Sequence, residues 1–97
     1  MVNHKTYETA QADASVELST AIRDAQRTGV QMISAVSAFD LGAVVSGTPG
    51  LTVWCQHLDP VGFGSNTGHL APSTAISRGA TGSLLNHSEC RVPFEHI

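Results

Sequence analysis

The stretch TAQADASVELSTAIRDAQRTGVQMISAV, residues 9–36, decides the fold, because its hydrophobic period changes once, at a glycine. Ala14, Leu18, Ala21, Ile22 and Ala25 follow one another at offsets of four, three, one and three, which places them on one face of a helix over Thr9–Arg27. Gly29 supplies the left-handed residue that closes such a helix, and Arg23 and Arg27 complement the carbonyl end of its dipole. Val30–Val36 follows at once as a short apolar run, the pattern of a strand covered on both faces. A helix passing directly into a buried strand belongs to a βαβ unit.

The same alternation extends in both directions. Downstream, a helix is expected over Ala38–Val45, a turn over Ser46–Gly50, a strand over Leu51–Gln56, a long loop over His57–Leu70, a helix opened by Pro72 and closed by Gly79, and a brief buried run over Ser83–Asn86. Upstream, Asn3 lies just past the end of a short first strand. The strand ends recur at about 28 residues, the size of one βα unit, and eight such units would take roughly 220 residues. The expected fold class is therefore α/β, the N-terminal half of a (β/α)8 barrel with about four parallel strands and three helices. Residues 1–97 are expected to form one partial barrel domain (strands one to four), with no second domain.

Composition narrows the function classes. With 41% hydrophobic residues, the chain is too apolar to be disordered, yet only 13% is charged, about half the usual ~25%. A net charge of −3 offers no basic footprint for nucleic acid and no patch for an anionic membrane. The sequence shows neither an apolar run of membrane-spanning length nor a secretory signal, so a cytoplasmic location is expected. Cys55 and Cys90 then read as free thiols. Trp54 and Cys55 read as core residues of their strand.

Polar residues collect where the expected strands end: Asn3 and Lys5, Ser34, Gln56 and His57, Asn86 and His87. In α/β sheets and barrels this carboxyl edge binds ligands; polar residues also collect there simply because loops begin, and composition does not separate the two readings. The loop Gly62-Phe63-Gly64-Ser65-Asn66-Thr67-Gly68 invites a dinucleotide reading with Glu89 downstream, but the glycine spacing is wrong and the helix starts too late. No two of the five histidines stand at helical metal-ligand spacing.

Four motifs in order, Asn3-His4-Lys5-Thr6-Tyr7, Gln56-His57-Leu58-Asp59-Pro60, Gly64-Ser65-Asn66-Thr67-Gly68-His69 and Leu84-Leu85-Asn86-His87-Ser88-Glu89-Cys90-Arg91, resemble the triosephosphate isomerase family in its archaeal type, across essentially the whole chain. The resemblance implies half of a TIM barrel and a glycolytic and gluconeogenic isomerase of triose phosphates needing no metal or organic cofactor. It implies that Lys5 attracts the substrate phosphate and stabilises the developing enediolate, that Asn3 contacts substrate beside it, and that His87 polarises the substrate carbonyl. This family is itself the standing example of a neutral histidine electrophile working with a glutamate base under a closing loop. Ser88 and Glu89 match supporting residues, Glu89 beside the lysine. Thr67 matches a loop tip inserted into a partner subunit, which implies a homo-oligomer. Cys90 departs from the family pattern, which has Arg or Asn there. The general-base glutamate is expected beyond Ile97, so the 97-residue chain alone is expected to be nearly inactive. The alternative is a catalytically inactive, self-associating half-barrel.

Overall fold

The structure, a computed structural model, describes residues 1–96. Three short strands, β1 (Val2–Asn3), β2 (Ile33–Val36) and β3 (Thr52–Cys55), form a parallel sheet in the order β1-β2-β3. Helices α1 (Asp13–Asp24), α2 (Leu41–Gly47) and α3 (Pro72–Ser77) follow the strands in turn, so each parallel neighbour is reached through a helix. Order and direction are those of the N-terminal half of a (β/α)8 barrel.

The expected fourth strand is present in reduced form. Residues 81–84 run beside β3: Thr81 N–H donates to the Val53 carbonyl (3.2 Å), Cys55 N–H to that of Gly82 (3.0 Å), and Leu84 N–H to that of Cys55 (2.9 Å). The last two of these bonds make one parallel bridge, Cys55 to Ser83. Asn86, at φ 55°, then turns the chain left-handed before a regular strand forms, and Lys5, at φ 52°, ends β1 in the same way.

Helix α1 is shorter than its sequence period. Glu8–Ala10 is a separate 3-10 turn, and Ala12 stands at φ 52°, ψ −129°, which interrupts the helical path. The Ala12 N–H donates instead to both oxygens of the buried Asp40 carboxylate at 3.1 Å. Asp40 is thereby drawn away from capping its own helix, and α2 starts at Leu41 rather than Ala38.

The stripe that α1 buries also differs from the apolar one. Ser15, Ser19 and Ile22 are buried, whereas Ala21 and Ala25 are exposed. The cause is His4, 1% exposed at the end of β1. Its Nδ1 lies 2.9 Å from Ser15 Oγ and its Nε2 lies 3.1 Å from Ser34 Oγ, which is 3.0 Å from Ser19 Oγ. A buried imidazole requires polar partners, so the helix presents hydroxyls to it. Ser34, expected at the ligand edge, is corrected to a position under α1.

On the same side of the sheet, Val36, Val53 and Cys55 pack with Leu41 and Val44 of α2 and with Ala75 and Ala80 to form the apolar core. Cys55 is buried as expected, and burial pushes its thiol pKa up. Trp54, one residue out of step with Val53 and Cys55, is half-buried over Gly82 rather than within this core. Among the described residues no helix is long and apolar enough to cross a membrane.

Two expectations follow from this packing. A Cβ at Gly82 would come within 2.7 Å of Trp54 Cδ2 and Nε1, so Gly82→Ala should destabilise the fold by about 1–3 kcal/mol, read as a lower urea midpoint. An unchanged midpoint would show that the ring shifts freely. The second concerns acid. Burial pushes the His4 imidazole below its ordinary 6.5, only partly offset by the Ala10 carbonyl and the Asp40 carboxylate. A pKa lowered on folding contributes stability that is fully present above about pH 6.5 and is lost as pH falls below it, because the unfolded chain takes the proton first. The urea midpoint should therefore drop between pH 7.5 and 5.5, and drop less in His4→Gln; parallel profiles would exclude the effect. The lowered Asp59 carboxyl acts in a separate window, below about pH 4.

Candidate functional site at the carboxyl edge of the sheet

At the ends of β1 and β3 the backbone is bent to present side chains. Lys5 is left-handed, a conformation costing a non-glycine residue about 1–3 kcal/mol unless its surroundings impose it. Here they do. Lys5 N–H donates to Asn3 Oδ1 (2.9 Å), and its carbonyl accepts from Gln11 Nε2 (2.8 Å) and Gln56 Nε2 (3.0 Å). Gln56 Nε2 also donates to the Ala35 carbonyl at 3.3 Å, so one amide ties the ends of three strands.

Asn3, Lys5, Thr6 and Gln56 line one side of an open cavity of about 240 Å3, and Leu84, His87, Glu89 and Cys90 line the other. The ammonium of Lys5 lies 3.6 Å from Glu89 Oε1 and 5.7 Å from the centre of the Tyr7 ring. Both members of the ion pair are partly exposed, and such pairs contribute only about 0–1 kcal/mol. An anion entering the cavity therefore displaces little when it meets Lys5.

His87 is held in one tautomer. The Glu89 backbone N–H donates to His87 Nδ1 at 3.1 Å. Glu89 Oε1 also lies 3.5 Å from Nδ1, but a nitrogen accepting an N–H cannot donate to a carboxylate as well. The backbone contact is the shorter of the two; it makes Nδ1 the acceptor and leaves Nε2 as the nitrogen that donates. The turn that makes this possible is fixed by Asn86, left-handed, whose Oδ1 accepts from Val92 N–H at 3.0 Å.

Four of the six residues singled out from sequence, Asn3, Lys5, His87 and Glu89, thus share one cavity. Ser88 is exposed and does not line it. Thr67 is exposed on the loop of residues 57–70, away from the cavity. That loop is closed at its base by Asp59, which donates its N–H to the Leu70 carbonyl (2.9 Å) and accepts from Leu70 N–H at Oδ2 (2.7 Å) and from His57 Nε2 at Oδ1 (2.9 Å). The Leu70 N–H first, then His57, hold the Asp59 carboxyl below its ordinary pKa. Gly62, Gly64 and Gly68 lie inside the loop, and α3 opens only at Pro72, so no helix N-terminus meets them. Among the described residues, no three of His, Cys, Asp or Glu are arranged to hold a metal ion.

A parallel α/β sheet whose carboxyl edge gathers a lysine, a histidine and an amide around one open cavity defines the class: half of an α/β barrel with its strand-end face open. The chain belongs to the triosephosphate isomerase family, whose family model, described as "Triosephosphate isomerase", matches residues 1–97. Archaeal relatives bear that name. The chain is 34% identical over 98 residues to the protein of Methanobrevibacter smithii and 35% identical over 98 residues to that of Methanosarcina acetivorans, covering 100% of this chain and 44% of each relative. It is 33% identical over 101 residues to the protein of Sulfurisphaera tokodaii, covering 42% of it. The chain thus spans under half the length of these relatives.

Proposed function

We propose that these residues form the phosphate- and carbonyl-facing part of a triosephosphate isomerase site, which interconverts dihydroxyacetone phosphate and glyceraldehyde 3-phosphate without metal or organic cofactor. The observation that carries the reading is the sharing of one cavity by the Lys5 ammonium and a His87 ring fixed as its Nε2–H tautomer. Lys5 meets the phosphate dianion as a mobile charge, and Asn3 supports both substrate and the Lys5 turn. His87 Nε2–H donates to the substrate carbonyl oxygen, where negative charge develops as the neighbouring carbon loses its proton. A neutral donor can then pass its proton between the two substrate oxygens. Glu89 positions both: its carboxylate holds Lys5 and its backbone N–H sets the His87 tautomer. Ser88 completes that turn.

Glu89 is the one carboxylate lining the cavity among the described residues, and it is already engaged with Lys5. The base that removes the carbon proton therefore lies outside these residues, and without it proton abstraction loses about 10²–10⁴ in rate. Phe63, 82% exposed on the same loop as the exposed Thr67, supports a contact with a second copy of the protein, hence a homo-oligomer. Free cysteines, one buried and one exposed, are in keeping with a cytoplasmic setting.

Dihydroxyacetone phosphate titrated into isotope-labelled protein should shift the amides of Lys5, Gln56 and residues 87–90, and Lys5→Met should weaken that binding about tenfold or more. The 97-residue chain in a coupled assay should show turnover far below that of a complete isomerase, little changed by His87→Ala. Shifts confined to the 62–68 loop, or substantial turnover abolished by His87→Ala, would contradict the reading.

A further inference from the structure

Cys90, on the wall of the cavity, has partners of its own. Its thiol lies 3.7 Å from His57 Nδ1, and the opposite ring nitrogen of His57 donates to Asp59 Oδ1 at 2.9 Å. Because Asp59 accepts from Nε2, the Nδ1 lone pair faces the sulfur, and the thiol S–H is the donor in that contact. Asp59 is held from behind by Leu70 N–H at 2.7 Å, with His69 Nδ1 at 3.7 Å from its second oxygen. The order nucleophile, imidazole, orienting carboxylate is one that activates thiols. The cysteine segment is anchored too, since Cys90 N–H donates to the His87 carbonyl at 2.8 Å. Cys90 is exposed, whereas Cys55 is 1% exposed in the core.

We infer that Cys90, His57 and Asp59 constitute an activated-thiol site that small hydroperoxides convert to a sulfenic acid, on the wall of the cavity that Lys5 and His87 also line. His57 Nδ1 takes the thiol proton, and Asp59 stabilises the imidazolium so formed. The thiolate attacks one peroxide oxygen: the S–O bond forms as the O–O bond breaks, sulfur is oxidised and the peroxide reduced. The departing oxygen takes the proton from His57 and leaves as water or an alcohol, which restores the neutral ring. Exposure and a hydrogen-bonded base are what distinguish sensor cysteines from inert ones. The titratable and charged groups around the thiol are His57, Asp59 and His69 from the loop after β3, and Glu89 and Arg91 flanking it, with Lys5 paired to Glu89. This chemistry does not depend on what the cavity binds.

The test treats the purified protein at pH 6.5 with iodoacetamide and, separately, with hydrogen peroxide followed by a sulfenic-acid trap, and locates adducts by peptide mass spectrometry. Cys90 should alkylate about tenfold or more faster in the native protein than in the same protein unfolded in urea. Peroxide should leave trapped sulfenic acid at Cys90 and none at Cys55, and His57→Gln should slow alkylation to the unfolded rate. A native rate no higher than the urea rate overturns the inference, as does peroxide product absent from Cys90. So does an unchanged rate in a His57→Gln protein that keeps its native circular dichroism. If that variant does not fold, the native-against-urea comparison decides alone.

Discussion

The side-chain amide of Gln56 carries more of this structure's organisation than any apolar contact at the carboxyl edge. Its N–H groups bond the Lys5 and Ala35 carbonyls, at the ends of β1 and β2, from a residue just past β3. With Gln11 Nε2, which donates to the same Lys5 carbonyl, those bonds offset the cost of a left-handed turn at a side-chain-bearing residue, and only the Gln56 amide ties that turn to the neighbouring strands. That turn does two things at once. It stops β1 at Asn3, and it brings the Lys5 side chain into the cavity while His4, one residue earlier, faces the opposite way into the buried serine network.

The two faces of the sheet therefore do different work. The helix-facing side buries an apolar core next to a polar seam of His4, Ser15, Ser19 and Ser34, and every buried side-chain nitrogen and oxygen among the described residues has a partner. Those partners fix helix α1 on the sheet in one register, since Ser15 meets one ring nitrogen of His4 and Ser19 reaches the other through Ser34. The edge above it is less constrained. It holds an exposed ion pair, an open cavity and two left-handed residues, Lys5 and Asn86, at the turns that aim Lys5 and His87.

Much of this was legible in the sequence, and the failures have physical causes. Alternation of helix and strand and the spacing of strand ends gave the parallel order, and Pro72 and Gly79 bounded α3 well because each acts through its own backbone. Helix α1 was misread on its buried face because an apolar count cannot see serines that are buried for a histidine eleven residues upstream of the first of them. Ala12 gave no signal: alanine favours helix, and its strained turn is imposed by Asp40, 28 residues away. Asn3, Lys5, His87 and Glu89 were singled out through their motifs, and the fold brings them to one cavity. Gln56 stood out only as polar at a strand end, and its bridging role depends on three strands coming together. The contact of Cys90 with His57 was invisible, since it joins residues 33 apart.

The claim that Gln56 sets the Lys5 turn is open to one direct measurement, amide hydrogen exchange at Lys5 in Gln56→Leu against the parent protein. Among the described residues Lys5 N–H bonds only Asn3 Oδ1, a contact that exists because the turn does. Loss of the amide should speed exchange at Lys5 about tenfold or more while Cys55 and Leu84, bonded across β3 and the 81–84 segment, keep their protection. Unchanged exchange at Lys5 would contradict the account, as would a uniform loss of protection across the whole sheet.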